Sequence, residues 1–138
     1  MRERGFYMIQ VQDTVDKLYV IGHASDDVKK ATHVSHDVCV AVTALIKMLV
    51  TSIPAIGGDN PPMTVKPGKF ILTKKALSVK SQILIEAFLD TIKSLSAEYH
   101  QYVRLYDEKG NEITDFMKAV ESDSDKVFPD WRDYVVGK

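Results

Sequence analysis

An almost uninterrupted apolar run, from Ser35 to about Ile53, constrains the fold of this 138-residue chain more than any other segment. Its apolar side chains recur at the three- and four-residue spacing of a helix, on two adjoining stripes formed by Val38, Val42, Leu45 and Leu49 and by Cys39, Ile46 and Val50. Lys47 is the main exception. We therefore predict a helix that has Ser35 as its N-cap and lies between two layers of the fold.

The chain has one cysteine, Cys39, and so can form neither an internal disulfide nor a four-thiolate zinc site. Its fold must therefore be held together by an apolar core. With 45% hydrophobic and 27% charged residues, the composition is that of an ordinary globular protein and excludes a disordered or collagen-like chain. The length fits one domain.

No stretch approaches the ~20 apolar residues of a membrane span, and the charged amino terminus lacks a signal-peptide profile. We therefore expect a soluble cytoplasmic protein. The formal charge of −1 gives no global electrostatic reason to expect a nucleic-acid or membrane partner. The charge is uneven, however, because residues 1–107 carry 13 basic and 11 acidic groups whereas residues 108–138 carry 5 and 8.

Two predicted β-hairpins flank the apolar helix. The first joins residues 6–12 to 17–22, and the second joins residues 63–66 to 69–75 around the turn pair Pro67-Gly68. Polar residues 25–34 are expected to form a mobile loop, and residues 56–62 are rich in helix and strand breakers. A second amphipathic helix over residues 78–99 and a strand over 102–106 complete the pattern.

This order, ββαββαβ, predicts an α+β domain with two helices packed against and between small sheets. We place that domain at residues 1–107 and treat residues 108–138 as an acidic C-terminal appendage. Within the appendage, residues 113–120 have the pattern of a short helix. Its aromatic residues Phe128, Trp131 and Tyr134 are expected to dock on the domain surface or on a second copy.

The residues that carry chemistry are concentrated between Gly22 and Cys39. Here His23 closes a strand, a polar loop follows, and Cys39 lies in the first turns of the apolar helix. A cysteine nucleophile reacts as its thiolate and needs a nearby base, so Cys39 and His23 are the residue types of a catalytic dyad. Asp37 opposes thiolate formation, however, and a lone cysteine on an apolar stripe is more often core packing.

Two other interpretations involve nearby polar residues. His23, His33, His36 and Cys39 are ligand types that suit zinc or another transition metal, although their spacing matches no standard zinc finger. Five lysines fall between Lys66 and Lys80, but without a stacking-aromatic signature or an RNP-like motif they indicate a solvated strand face rather than a nucleic-acid site.

The segments Gly22-His23-Ala24 and Asp37-Val38-Cys39, the latter followed by Val40-Ala41-Val42-Thr43, resemble those of the ribosomal-processing cysteine protease (Prp) family. Members of that family have Gly-His-Ala at the end of the second strand and an Asp-Ile-Val-Cys-type segment that opens a helix. The predicted ββαββαβ order also agrees. The resemblance covers about residues 6–107, and its specific part is residues 22–45.

The resemblance implies a cysteine endopeptidase in which Cys39 is the nucleophile and His23 the general base. It further implies Asp37 and Thr43 as supporting residues, Gly22 and Ala24 as substrate-binding residues, and no metal or other cofactor. The implied substrate is the amino-terminal extension of a ribosomal protein, or a phage capsid or scaffold protein, and the implied assembly is a homodimer.

This chain departs from the family pattern at one important position. The family acid usually lies three residues before the cysteine, where this chain has His36, and the acid here is Asp37. A one-residue shift turns a helical side chain by ~100°. A non-catalytic binding or assembly module with the same fold is therefore the alternative to a protease, beside the transition-metal site.

Overall fold

The computed structural model describes residues 8–23 and 33–116. Five strands and two long helices alternate in the predicted order, which confirms the ββαββαβ pattern and the α+β class. The strands are β1 (Ile9–Asp13), β2 (Lys17–Ile21), β3 (Met63–Lys66), β4 (Lys69–Thr73) and β5 (Val103–Tyr106). The helices are α1 (His33–Ser52), which continues into a π-helical turn (Ile53–Gly57), and α2 (Val79–Glu98).

All five strands form one sheet, in the order β3-β4-β2-β1-β5. Strand β5 runs parallel to β1, and the other neighbours are antiparallel. The register places apolar residues opposite one another on a single face: Ile9 and Val103, Val11 and Val20, Val20 and Phe70, and Leu18 and Leu72. Alternation along each strand therefore produces one apolar sheet face.

Both helices cover that same face. Buried residues from the sheet join those of α1 and α2 in one continuous core, which the helices enter through Val38, Val42, Leu49, Ile85, Phe88 and Ile92. The expectation of helices between several small sheets thus resolves into two helices side by side on one sheet. Apolar burial on this face is the main source of stability for a chain without a disulfide.

Two details of the prediction for α1 were wrong. The helix begins at His33, so Ser35 is buried within its first turn instead of acting as the N-cap. The helix also lies on one layer and not between two: Val40 on its outer side is 55% exposed. The single sheet explains this difference, because among the described residues no second layer covers the outer side of α1.

The expectation that no segment is long enough to span a membrane was also wrong. By length and composition alone, Val34–Gly57 is apolar enough to cross one. The π-helical turn after α1 lengthens the apolar helix beyond the predicted limit at Ile53. This segment packs on the sheet through the fully buried Val38 and Leu49, and 17% of its apolar window is buried.

The segment after α1 is fastened to the start of α2. Asp59 accepts hydrogen bonds from the Ser81 hydroxyl (2.5 Å) and the Ser78 backbone N–H (2.9 Å), while the Ser78 hydroxyl donates to the Gly57 carbonyl (2.8 Å). The Ser81 hydroxyl, followed by the bonds from Ser78, holds the pKa of Asp59 below its usual value. Residues predicted as a plain loop thus bind the first turn of α2, whose N-cap is Ser78.

The first residues beyond Asp107 fold back onto the domain. Glu112 bridges to Tyr106, and Ile113 donates its backbone N–H to the Leu105 carbonyl (2.8 Å) and packs against the core. Most of the loop predicted at residues 25–34, most of the predicted short helix and the tail aromatics Phe128, Trp131 and Tyr134 lie outside the described residues, and the last two residues of that predicted loop belong to α1.

We predict that Asp59→Asn lowers the melting temperature at neutral pH but not in acid. Folding lowers the pKa of the Asp59 carboxylate. The carboxylate therefore stabilises the native state above its unfolded-state pKa, about 4, and this stabilisation is lost as the pH falls through the lower native-state pKa. Thermal unfolding of both proteins between pH 7 and pH 2.5 checks this. An equal difference in melting temperature between the two proteins at pH 7 and at pH 2.5 would contradict the prediction. Asp90→Asn, on the exposed side of α2, is the control.

Candidate active site

A glycine at the end of β2 brings three parts of the chain together. Gly22 has φ of +105°, and its backbone N–H donates to the Gly68 carbonyl in the turn between β3 and β4 (2.8 Å). A Cβ atom at Gly22 would lie 2.2 Å from the carbonyl oxygen of Met8. Both the backbone angle and the space therefore require glycine at this position.

His23 follows directly and rests on that turn. Its exposed imidazole lies so close to Gly68 that a Cβ atom there would stand 2.3 Å from Nε2 of His23. Gly68 itself has φ of +72° in the Pro67-Gly68 turn. Gly68 thus offers bare backbone on which the ring of His23 sits.

Cys39 and His23 line the same cavity, which has a volume of about 350 Å³. The cavity lies between α1, the end of β2 and the β3–β4 turn, and its apolar lining consists of Ile9, Val20, Val42, Ile46, Pro67 and Phe70. Gly22 and Thr43 also line it. The half-buried Cys39 packs against the edge of the core, so its thiol belongs both to the core boundary and to the cavity.

The helical spacing of α1 explains which residues reach the cavity. Thr43 lies one turn after Cys39 on the same side of the helix. Asp37 lies two positions before Cys39, about 200° around the helix axis, and does not line the cavity. Its charge is instead felt by Tyr99, whose pKa is raised mainly by Glu98, with burial and Asp37 adding to the effect.

The structure therefore brings together His23, Cys39, Thr43 and Gly22, but it does not bring Asp37 or His36 to the cavity. Ala24 lies outside the described residues. The predicted orienting role of Asp37 finds no support in its position on the outer side of α1.

The hypothesis of a metal site finds no support either. Within residues 8–23 and 33–116, no three His, Cys, Asp or Glu side chains are grouped so that they could hold a metal ion. Of the four proposed ligands, His23 and Cys39 line the cavity, His36 is exposed on α1, and the side chain of His33 is outside the described part.

Sequence reasoning missed the role of the second hairpin in this site. Lys66, Pro67, Gly68 and Lys69 all line the cavity beside His23. The two lysines are exposed, as expected for a solvated strand face, but they also form the cavity rim. The Pro67-Gly68 pair predicted a turn, yet nothing in the local sequence showed that β4 would pair with β2 and carry this turn to His23.

We predict that Gly68→Ala displaces the ring of His23, whereas Gly58→Ala does not. Both glycines have a φ near +71°, so each substitution costs about 1–2 kcal/mol of backbone strain. Only at Gly68 does a Cβ atom collide with His23, because nothing lies within 4 Å of such an atom at Gly58. NMR resonances of the His23 ring, recorded beside thermal unfolding, check this. A ring signal that Gly68→Ala leaves unmoved would contradict the geometry.

Comparisons with known proteins match the sequence to one family and the fold to solved structures. The sequence model of the family described as cysteine protease Prp matches residues 6–104. No curated protein matches the chain in sequence. A crystal structure of the essential ribosomal processing protease Prp from S. aureus, in complex with a covalently linked product peptide, superposes with a TM-score of 0.62 at 20% identity and covers 72% of this chain and 99% of that one.

Two further structures are similar. S. aureus Prp in complex with a substrate peptide has a TM-score of 0.61 at 15% identity, covering 72% of this chain and 97% of that one. SMU.848 from Streptococcus mutans has a TM-score of 0.59 at 23% identity, covering 75% and 96%. These identities show a shared fold, and the family match extends from before β1 into β5. This chain therefore belongs to the cysteine protease Prp family.

Proposed function

We propose that this protein is a cysteine endopeptidase that uses Cys39 as its nucleophile and His23 as its general base. The observation that carries the proposal is that both side chains line one cavity of about 350 Å³ in a chain of this family. Thr43, one helical turn from Cys39, supports the site with a hydroxyl group, and Gly22 contributes backbone at the cavity wall.

The reaction needs one proton acceptor and one nucleophile. His23 takes the proton of the Cys39 thiol, and the sulfur attacks the carbonyl carbon of the scissile bond. The C–N bond then breaks, the imidazolium returns its proton to the leaving amine, and a thioester remains on Cys39. Water adds to the thioester and releases the new carboxylate and the thiol.

The cavity lining suits a peptide with an apolar residue beside the cleaved bond. Its floor is formed by aliphatic and aromatic side chains, among them Ile9, Ile46 and Phe70, which would bury such a side chain. The substrate that we propose is the amino-terminal extension of a ribosomal protein or, alternatively, of a phage structural protein. The site of action is the cytoplasm, and the dyad chemistry uses no metal or other cofactor.

A homodimer is supported by the outer side of α1. Val40 and Ala44 are exposed there between Asp37 and Lys47. In an antiparallel pair of α1 helices related by a twofold axis at the height of residue 42, Val40 would meet Ala44 of the copy and Asp37 would meet Lys47. In such a pair the face would be complementary to itself in charge.

Cleavage of a proteome-derived peptide library, analysed by mass spectrometry, tests the protease proposal. Cys39→Ala and His23→Ala should each lower the cleavage rate at least about 10³-fold, because both groups act in the same chemical step. His100→Ala is the matched control for the histidine, since His100 lies beside Glu112 and not at the cavity. A wild-type protein that binds peptides but cleaves none would be a non-catalytic binding module.

Analytical ultracentrifugation tests the dimer. Val40→Asp should shift the protein to monomer, while Val79→Asp at the exposed start of α2 should not. Asp37→Lys and Lys47→Asp should each weaken the dimer by up to about fivefold in Kd, and the double variant should restore it. A dimer that withstands Val40→Asp would place the interface elsewhere.

A further inference from the structure

The rim of the cavity carries two lysines that face one another across the β3–β4 turn. Lys66 and Lys69 are cross-strand partners in the register of the hairpin, and both are exposed and line the cavity. The Pro67-Gly68 turn between them also supports the ring of His23. Both lysines therefore flank the turn that carries the candidate base.

Within the described part of the chain, neither lysine has its charge compensated. Lys74, just beyond β4, forms an ion pair with Asp13, and Lys93 lies 4.0 Å from Asp90. Within residues 8–23 and 33–116, Lys66 and Lys69 make no ion pair. Like charges directly opposite each other on neighbouring strands are destabilising. The free hairpin therefore holds an unfavourable pair that an anion would relieve.

The described cavity lining has no acidic side chain that could compensate the charges of Lys66 and Lys69. Its described lining contains His23, Cys39, Lys66 and Lys69 as titratable residues and neither Asp nor Glu. Asp37, the nearest acid along α1, lies on the outer side of that helix. Among the described lining residues, the formally charged side chains are therefore both cationic, which favours an incoming carboxylate.

We propose that Lys66 and Lys69 bind the carboxylate of an acidic substrate residue, so that the enzyme selects peptides with Asp or Glu close to the apolar residue at the cleavage site. This inference rests on the proposed peptidase function and names a determinant of its specificity. A peptide fits the hairpin better than a nucleic acid does. Phe70, the aromatic residue of β4, is only 1% exposed and cannot stack on a base.

Selection from a random peptide library tests this. The library is retained on immobilised Cys39→Ala protein and, in parallel, cleaved by the wild-type protein; mass spectrometry identifies the selected peptides in both arms. We expect Asp and Glu to be enriched about three- to tenfold at one position, and this enrichment to disappear in 1 M salt, where screening is strong.

Charge reversal assigns the effect to the two lysines. Lys66→Glu/Lys69→Glu, built in both proteins, should lose the acidic enrichment and select Lys or Arg instead. The control Lys80→Glu/Lys109→Glu makes the same change in net charge at the start of α2 and in the turn after β5, and it should keep the acidic preference.

The two arms separate this inference from the proposed function. Retention of acidic peptides by the Cys39→Ala protein, without any cleavage by the wild type, would refute the peptidase and leave the lysine site standing. The lysine site would be overturned if acidic residues were not enriched, or if the enrichment survived reversal of both lysines. It would also be overturned if an oligouridylate displaced the bound peptides as effectively as an acidic peptide does.

Discussion

The contact between the end of β2 and the β3–β4 turn is the constraint on which the site depends. One backbone hydrogen bond, from Gly22 to Gly68 (2.8 Å), joins two glycines that both have positive φ. Because neither carries a side chain, the chain can pass close to Met8 on one side, and the ring of His23 can rest on Gly68 on the other. A Cβ atom at Gly22 would collide with the Met8 carbonyl, and one at Gly68 would displace the ring of His23.

The core gives this contact a fixed frame. The sheet presents one apolar face, and α1 and α2 lie side by side on it through residues such as Val38 and Phe88. Cys39 follows Val38 directly and therefore emerges at the edge of the core, where the end of β2 and the second hairpin meet. The same arrangement leaves the outer side of α1 exposed and turns Asp37 away from the cavity.

Periodicity was sufficient to predict the elements and their order, because alternation in the strands and the helical spacing of residues such as Ile85, Phe88 and Ile92 are local signals. It was not sufficient for their placement. A helix that is apolar on all sides can lie between two layers or on one layer, depending on the number of sheets. The number of sheets is determined by pairing between strands that are distant in sequence. The residues Gly22-His23-Ala24 and Cys39 indicated the family, but the contribution of Lys66, Gly68 and Lys69 followed only from the pairing of β4 with β2.

The central claim is that His23 serves Cys39 as a base, and the rate of alkylation of Cys39 by iodoacetamide at pH 6 tests it most directly. Because the thiolate is the reactive species, a thiol that can pass its proton to His23 should react at least about tenfold faster in the wild-type protein than in His23→Ala. His100→Ala, which removes a histidine distant from the cavity, should match the wild type. Equal rates in the wild type and His23→Ala would contradict the account, because the two side chains would then share a cavity without acting as a pair.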